Sequence, residues 1–398
     1  MLDNYKKIYL SISISSLLYA KNLIFIWIVL TKTNSILLAG VALTLLYIPG
    51  FLSFIIGPIV DSITNKKNIL IISDAMHIVI VLFIIIDLLK SGFITYIIFF
   101  LLLFLYGFTS NFSNVSFMSL QKHIVNSNDS KKYFKNLHSV YIISSIFGLL
   151  LTGILLTLNY NFALIFMAFI LIISTVLASL IDVKNIIFET RKFSFKILRN
   201  TIEAFNYLKN NMVLSDLQLL SIINGFGIAM IVPAIAYISH NILGISAFLM
   251  TTFFIAGLIG SFTGTLISSK IHTNIKGRIY KYYLIIAFIF PFVYYSVYIF
   301  YNYLYIIYII FFITGLMESI ISLFHSLLNF KYIDKKMSAS VYGLKQTLNN
   351  ITQPFSGVLI GFIITFYFLR SAFLFIFIIF FIDFIILLFL KGIRNVKI

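Results

Sequence analysis

The chain has 398 residues, of which 61% are hydrophobic and only 10% charged, and its mean hydropathy is +1.06. A water-soluble domain could not cover its surface with so few polar groups, so lipid is the solvent for most of it. The formal charge of +17 would suit a nucleic-acid partner, but its spread over short polar segments argues against one, and the absence of cysteine excludes disulfides, thiol catalysis and cysteine metal sites.

Inside a bilayer every backbone amide needs an internal partner, and about 20 apolar residues are enough to cross as a helix. The short alternating segments of a membrane barrel are absent. In chain order the apolar runs predict twelve spans, over 8–31, 35–60, 68–90, 93–119, 137–157, 163–182, 214–239, 245–269, 280–300, 303–329, 341–365 and 369–390. Lys6 and Lys7 precede the first run as they would in a signal peptide, but the run is too long and lacks a small-residue cleavage site, so an uncleaved anchor is expected. The N-terminus, the even-numbered loops and the tail hold 24 of the 29 Lys and Arg residues, which predicts that both termini are cytoplasmic.

The longest polar stretch lies at mid-chain, where Leu198, Ile202, Phe205 and Leu208 recur at helical spacing beside Lys196, Arg199 and Lys209. It reads as an amphipathic helix on the membrane surface or simply as a helical linker. Three units follow: a six-helix bundle over 1–182, a cytoplasmic linker over 183–212 and a second six-helix bundle over 213–398. The halves repeat a plan, with Gly57 matched by Gly264 and Gly153 by Gly361 about half a chain later. The second copy is degraded: Ser268 stands where the first half has Asp61, and Lys276 and Arg278 are displaced.

Between the second and third spans, Gly57 is followed four residues on by Asp61 and then by the pair Lys66 and Lys67. This grouping resembles the loop between helices 2 and 3 of major facilitator superfamily transporters. The resemblance implies an all-α membrane protein of twelve transmembrane helices in two six-helix bundles that rock around a midplane site. It also implies that Asp61 is a latch acid near the start of helix 11, with Gly57 its close-packing neighbour and Lys66 and Lys67 the basic flank. A carboxylate there would meet the positive end of a helix dipole, worth about 0.3–1 kcal/mol when exposed and up to ~2 when partly buried. Read alone, the segment is a tight turn whose lysines obey the charge rule. Gly148 and Gly153 resemble the glycine-rich stretch of helix 5 in exporters without its proline, and small residues also serve plain helix packing. Ser73 and Asp74 resemble the drug, macrolide-efflux and siderophore-exporter branch, where an arginine occupies the place of His77. Asp74 is grouped with the latch, and its partner here is titratable.

A charge at the bilayer centre costs roughly 2.5–3.5 kcal/mol, so ionisable groups within spans are the functional candidates. Lys21, Asn111, Asn114, Asn224, Glu318 and His325 fall in spans one, four, seven and ten, the set that lines the central cavity in the superfamily. Glu318 is the expected protonation site, His325 a relay or substrate ligand, and Lys21 an anchor for an anionic group. A static Lys21–Glu318 ion pair and a merely hydrogen-bonded His325 are the bland alternatives. Asp87 and Asp383 are placed near the membrane interface. No Walker lysine motif and no His-x-x-x-His spacing occurs, so no ATPase, metal or cofactor is implied. The expected function is proton-coupled export of a drug-like or siderophore-like molecule across a bacterial plasma membrane. The partners would be substrate, protons and membrane lipids, with no nucleic acid, and the carrier would be a monomer. An importer or facilitator of the same fold, a membrane enzyme on lipid-linked substrates, and a non-transporting sensor are the rivals.

Overall fold

The computed structural model describes residues 2–63, 65–88, 93–125, 129–181, 197–271, 277–394 and 396. Among them, eleven helical stretches are long and apolar enough to cross a membrane. The last, Lys335–Phe389, has 55 residues, far more than the ~20 one crossing needs, and Phe368 breaks it with a left-handed φ of 65° at an exposed tip. Twelve crossings result, and the chain is an all-helical, multi-pass membrane protein.

The first crossing comprises α1 (Leu2–Ser16) and α2 (Lys21–Thr33), the second α3 (Ile36–Tyr47), a 3-10 turn over Ile48–Leu52 and α4 (Ser53–Ser62). Crossings three to six are α5 (Lys66–Leu88), α6 (Phe93–Ile124), α7 (Ser130–Leu158) and α8 (Tyr160–Ser179). A linker helix, α9 (Ile197–Asn210), leads to α10 (Met212–Tyr237), α11 (Ala247–Lys270), α12 (Arg278–Phe300) and α13 (Leu304–Tyr332). The eleventh crossing is α14 (Ser338–Asn349) plus the part of α15 (Gln353–Phe389) before Phe368, and the rest of α15 is the twelfth.

Polar caps explain where several crossings begin. The side chains of Ser35, Asn211 and Ser246 accept from the amides of Leu38, Leu214 and Leu249, satisfying donors that lipid would leave orphaned. Two of the breaks face one another: Gly50 in the second crossing lies against the Asn350 side chain, in the gap between α14 and α15. Where α3 meets α15, Gly40 and Gly357 bring two backbones together, and a methyl group on Gly40 would stand 2.1 Å from the Gly357 carbonyl oxygen. The matching contact between the halves is α7 on α11, at Gly153 and Thr251.

The expected match of Gly57 with Gly264 holds only in sequence. Gly57 packs across the halves on Ala339 and Ser340 of α14, whereas Gly264 packs on Leu316 and Ser319 of α13 within its own half. The second half therefore has no counterpart of the first half's cross-bundle loop contact at that glycine.

Candidate functional site

At the face that carries the chain termini, the two halves are tied together. Asp61 is 1% exposed, and its carboxylate accepts from the amides of Ala339 (3.1 Å) and Ser340 (2.7 Å) and from the Ser340 hydroxyl. These are first-turn donors of α14, so an acid of one half caps a helix of the other, where the dipole favours negative charge. The Lys66 ammonium donates to the Val60 carbonyl at 3.0 Å beneath that acid. Lys67 donates to the Ser179 and Ile181 carbonyls (2.6 and 2.8 Å), closing the open end of α8.

Three further contacts seal this face. Ser119 and Ser338 share a hydrogen bond of 3.1 Å, and the Lys122 ammonium donates to the Phe330 carbonyl while standing 4.2 Å from that residue's ring centre. The linker helix α9 bridges the halves, since Thr201 donates to the Phe54 carbonyl (3.2 Å) and Tyr207 to that of Tyr332 (2.5 Å). Partial burial holds the Tyr207 hydroxyl above its usual pKa, so it stays a neutral donor. At the opposite face the halves touch through the ring of Trp27 against His240 (5.3 Å, 88°) and through the Phe248 amide donating to Thr157 (3.1 Å).

The intramembrane charges divide into two groups. In the first half, Lys21 opens α2 just after the unwound turn of the first crossing, where Tyr19 and Lys21 make i to i–3 amide bonds. Its ammonium lies 5.5 Å from the Tyr106 ring centre and faces Asp74. Asp74 accepts from Ser113 (3.0 Å) and stands 3.7 Å from His77 Nδ1, while the His77 ring stacks on Tyr106 at 4.4 Å. Lys21, Asp74, His77 and Tyr106 thus form one partnered cluster joining crossings one, three and four. Asp74, grouped by sequence with the latch, is joined here to Ser113, His77 and Lys21.

In the second half, Glu318 has a different setting. It lies deep in the protein yet is exposed, so it borders a solvent-reachable space between the halves. The hydroxyls of Tyr19, Tyr141 and Tyr294, from crossings one, five and nine, are close enough to feel its charge. Among the described residues no side chain hydrogen-bonds to its carboxylate and no cation reaches ion-pair distance, so the Lys21–Glu318 pair is not formed. His325, half-buried two turns on, faces Lys345, whose ammonium donates to Asn329 Oδ1 at 2.6 Å.

Asn114 is exposed on the side of α6 away from the exposed apolar residues Ile97, Leu101 and Leu105. Asn111 does not join it: it is buried, accepts from Ser53 (3.1 Å) and donates to the Gly107 carbonyl (2.7 Å). Asn224 donates to Asp383 at 3.1 Å, and Asp383 is buried within the protein at 3% exposure. The tyrosines around Glu318 escaped the sequence reading, as did the chain in which Gln218 donates to the Lys345 carbonyl (3.3 Å) and to Asn349 (2.8 Å). Clefts beside Tyr207 and beside Trp27 and Lys32 hold no carboxylate and lie away from this chamber.

Comparison with known proteins agrees with this architecture. The human organic anion transporter MFSD10 (TETRAN) superposes with a TM-score of 0.71 at 10% identity, covering 96% of this chain and 97% of that one. A bacterial homologue of the iron transporter ferroportin, in its outward-facing state, superposes with a TM-score of 0.66 at 12% identity, covering 96% and 99%. At such identities the likeness is one of fold. No curated protein matches the sequence. The sequence pattern of the Major Facilitator Superfamily matches residues 8–351, so the chain belongs to that superfamily and is a membrane transporter, not an enzyme.

Proposed function

We propose that this carrier exports a small organic molecule across a bacterial plasma membrane in exchange for protons, with both termini in the cytoplasm and Glu318 as the coupling carboxylate. The observation that supports this reading most is the setting of Glu318, deep between the halves, reachable by solvent and without a bound cation. A carboxyl so placed gains or loses a proton when rocking of the bundles changes its access to water, whereas a permanently paired one stays charged. Each elementary charge moved down 100 mV supplies about 2.3 kcal/mol, so no ATPase is required.

Asp61 completes the cycle as the latch. With its carboxylate on the first turn of α14, the terminal face is held shut, and release of that cap accompanies opening toward the cytoplasm. One structural neighbour is an organic anion transporter and the other a homologue of an iron transporter, and a drug-like or siderophore-like molecule is the class proposed here.

Inverted membrane vesicles with an acid lumen test direction and coupling together. The proposal expects a supplied drug or siderophore to accumulate as protons leave the lumen, and expects Glu318→Gln to abolish both. Accumulation only in right-side-out vesicles would make the protein an importer, and unchanged proton-driven flux in Glu318→Gln would remove Glu318 from coupling.

A further inference from the structure

The linker helix α9 has three sides of different chemistry. At about 100° per residue, Tyr207, Ala204, Leu208 and Thr201 share one side, Phe205, Lys209 and Ile202 the next, and Asn206, Asn210 and Glu203 the third. The first side packs on the protein: Ala204 and Leu208 are buried in a cluster with Leu214, Ile333, Val341 and Leu344 of the second half. From it Thr201 reaches the first half through the Phe54 carbonyl, and the Tyr207 hydroxyl, besides donating to Tyr332, accepts from the Asp334 amide at 3.2 Å. The second side is open and apolar, with Ile202 58% and Phe205 48% exposed, whereas the third carries two exposed amides and a half-buried acid.

One side on protein, one apolar and one polar are what a helix at a membrane surface needs. Its depth agrees. Phe54 is the second residue of α4 and lies about 12 Å of helix before Ser62, so the Thr201 end of α9 is set back from the terminal face toward the bilayer. Leu52, close to Phe54 in sequence, is a further exposed apolar side chain. Lys209 stands on the apolar side, where its methylenes can follow acyl chains while its ammonium stays at headgroup level. At the same end of α9, Lys335 and Lys336 are exposed in the turn after Asp334, which offsets one of the three charges. The net positive rim matches an anionic headgroup, and the depth favours lipid over a soluble protein.

We propose that α9 is a lipid-anchored strap: Ile202 and Phe205 insert into the leaflet at the terminal face, Lys209 pairs with the phosphate of an anionic phospholipid there, and the helix so anchored holds that face closed. Opening the face parts α4 from the α13–α14 turn, and α9 is bonded to both. When they separate, one end of the strap is released and its apolar side tilts out of the leaflet. Anionic lipid therefore binds the closed arrangement better and shifts the population toward it. The inference rests on the reading of the terminal face as a gate and adds the lipid that regulates it.

Two measurements on the full-length protein in lipid nanodiscs test it. A nitrobenzoxadiazole probe on Phe205→Cys should be quenched by phospholipids bearing a nitroxide on the acyl chain, about threefold or more as strongly as the same probe on Asn210→Cys of the polar side. Equal quenching at the two positions overturns the proposal, as does a Phe205→Cys probe that the nitroxide cannot reach because a second copy or a soluble protein covers it. Maleimide labelling of Ser119→Cys, buried against Ser338, reads the gate. It should be about fivefold slower in an equal mixture of phosphatidylglycerol and phosphatidylcholine than in phosphatidylcholine alone, and Lys209→Gln or Phe205→Ser should each shrink that difference below about twofold. Both side chains are exposed, so neither change empties the core, and thermal unfolding confirms that each variant is folded. A rate indifferent to lipid charge, or a slowing that both variants retain, overturns the proposal. Labelling that Asp61→Asn accelerates but lipid charge does not alter leaves the gate standing and sinks the strap. Slowing that needs Lys209, together with an inert Asp61→Asn, sinks the cap as the gate and leaves the strap standing.

Discussion

Lys21 and Glu318 look equivalent in the sequence, one ionisable residue in each half at the depth of a bilayer, but the structure treats them in opposite ways. Lys21 is surrounded by a carboxylate, an imidazole and a tyrosine from its own half, whereas Glu318 faces tyrosines, among the described residues, with no ion-pair partner. Partnering offsets the cost of putting a charge in lipid and so removes the need for a functional explanation. An exposed, unpartnered carboxylate deep in a membrane protein still needs one. The proposed coupling role therefore falls on Glu318 of the second half rather than on Lys21 of the first.

The largest test of this contrast is Glu318→Gln. Proton-driven flux should fall by about 100-fold or more, the scale typical for loss of a proton-transferring group. His77→Gln, which alters only the first-half cluster, should leave the pH dependence of flux in place. Both are read in proteoliposomes under an imposed pH gradient, and equal losses would dissolve the distinction between the halves.

Next in size is Gly40→Ala at the α3–α15 crossing. With the Gly357 oxygen 2.1 Å from the added methyl group, two backbones must move apart, at a cost of about 1–3 kcal/mol. Thermal unfolding in detergent should show the loss, and an unchanged midpoint would mean that the halves are not in contact there.

Asp61→Asn weakens the cap on α14 by about 1–2 kcal/mol, which raises the population open at the terminal face roughly five- to thirtyfold. The chain has no native cysteine, so Ser119→Cys, buried against Ser338, provides a single maleimide target that reacts only when the seal opens. Faster labelling in the Asp61→Asn background is the expected result. An unchanged rate would confine Asp61 to a static role.

The smallest effect sharpens the partnered side. In a double-mutant cycle of Lys21→Met and Asp74→Asn, a coupling of about 1 kcal/mol in unfolding free energy is expected, because the two groups face each other without forming a direct ion pair. The cycle of Lys21→Met and Glu318→Gln should give none within error.

Much of the fold was legible because membrane helices write their limits plainly. Apolar runs place most span boundaries within a few residues, close to the caps Ser35, Asn211 and Ser246, whereas the break at Ile48–Leu52 falls inside a span read from the sequence as continuous. Asn350, the partner of that break, carries no such signal, since its role exists only where the two crossings meet. The site was half legible. Glu318 stood out because a carboxylate in lipid is costly, but the sequence did not show that Asn111 pairs with Ser53 and Asn224 with Asp383 on neighbouring helices. Tyr19, Tyr141 and Tyr294 could not be picked from 24 tyrosines, because which ring faces a charge depends on packing between crossings far apart in sequence.

The most direct check on the central claim is to map which membrane carboxyls can be modified in the intact, reconstituted protein. Treatment with a carbodiimide and mass-spectrometric mapping should find Glu318 modified and Asp74 and Asp383 protected, in keeping with one exposed and two buried side chains. Modification of Asp74 as readily as Glu318, or an inert Glu318, would contradict the account.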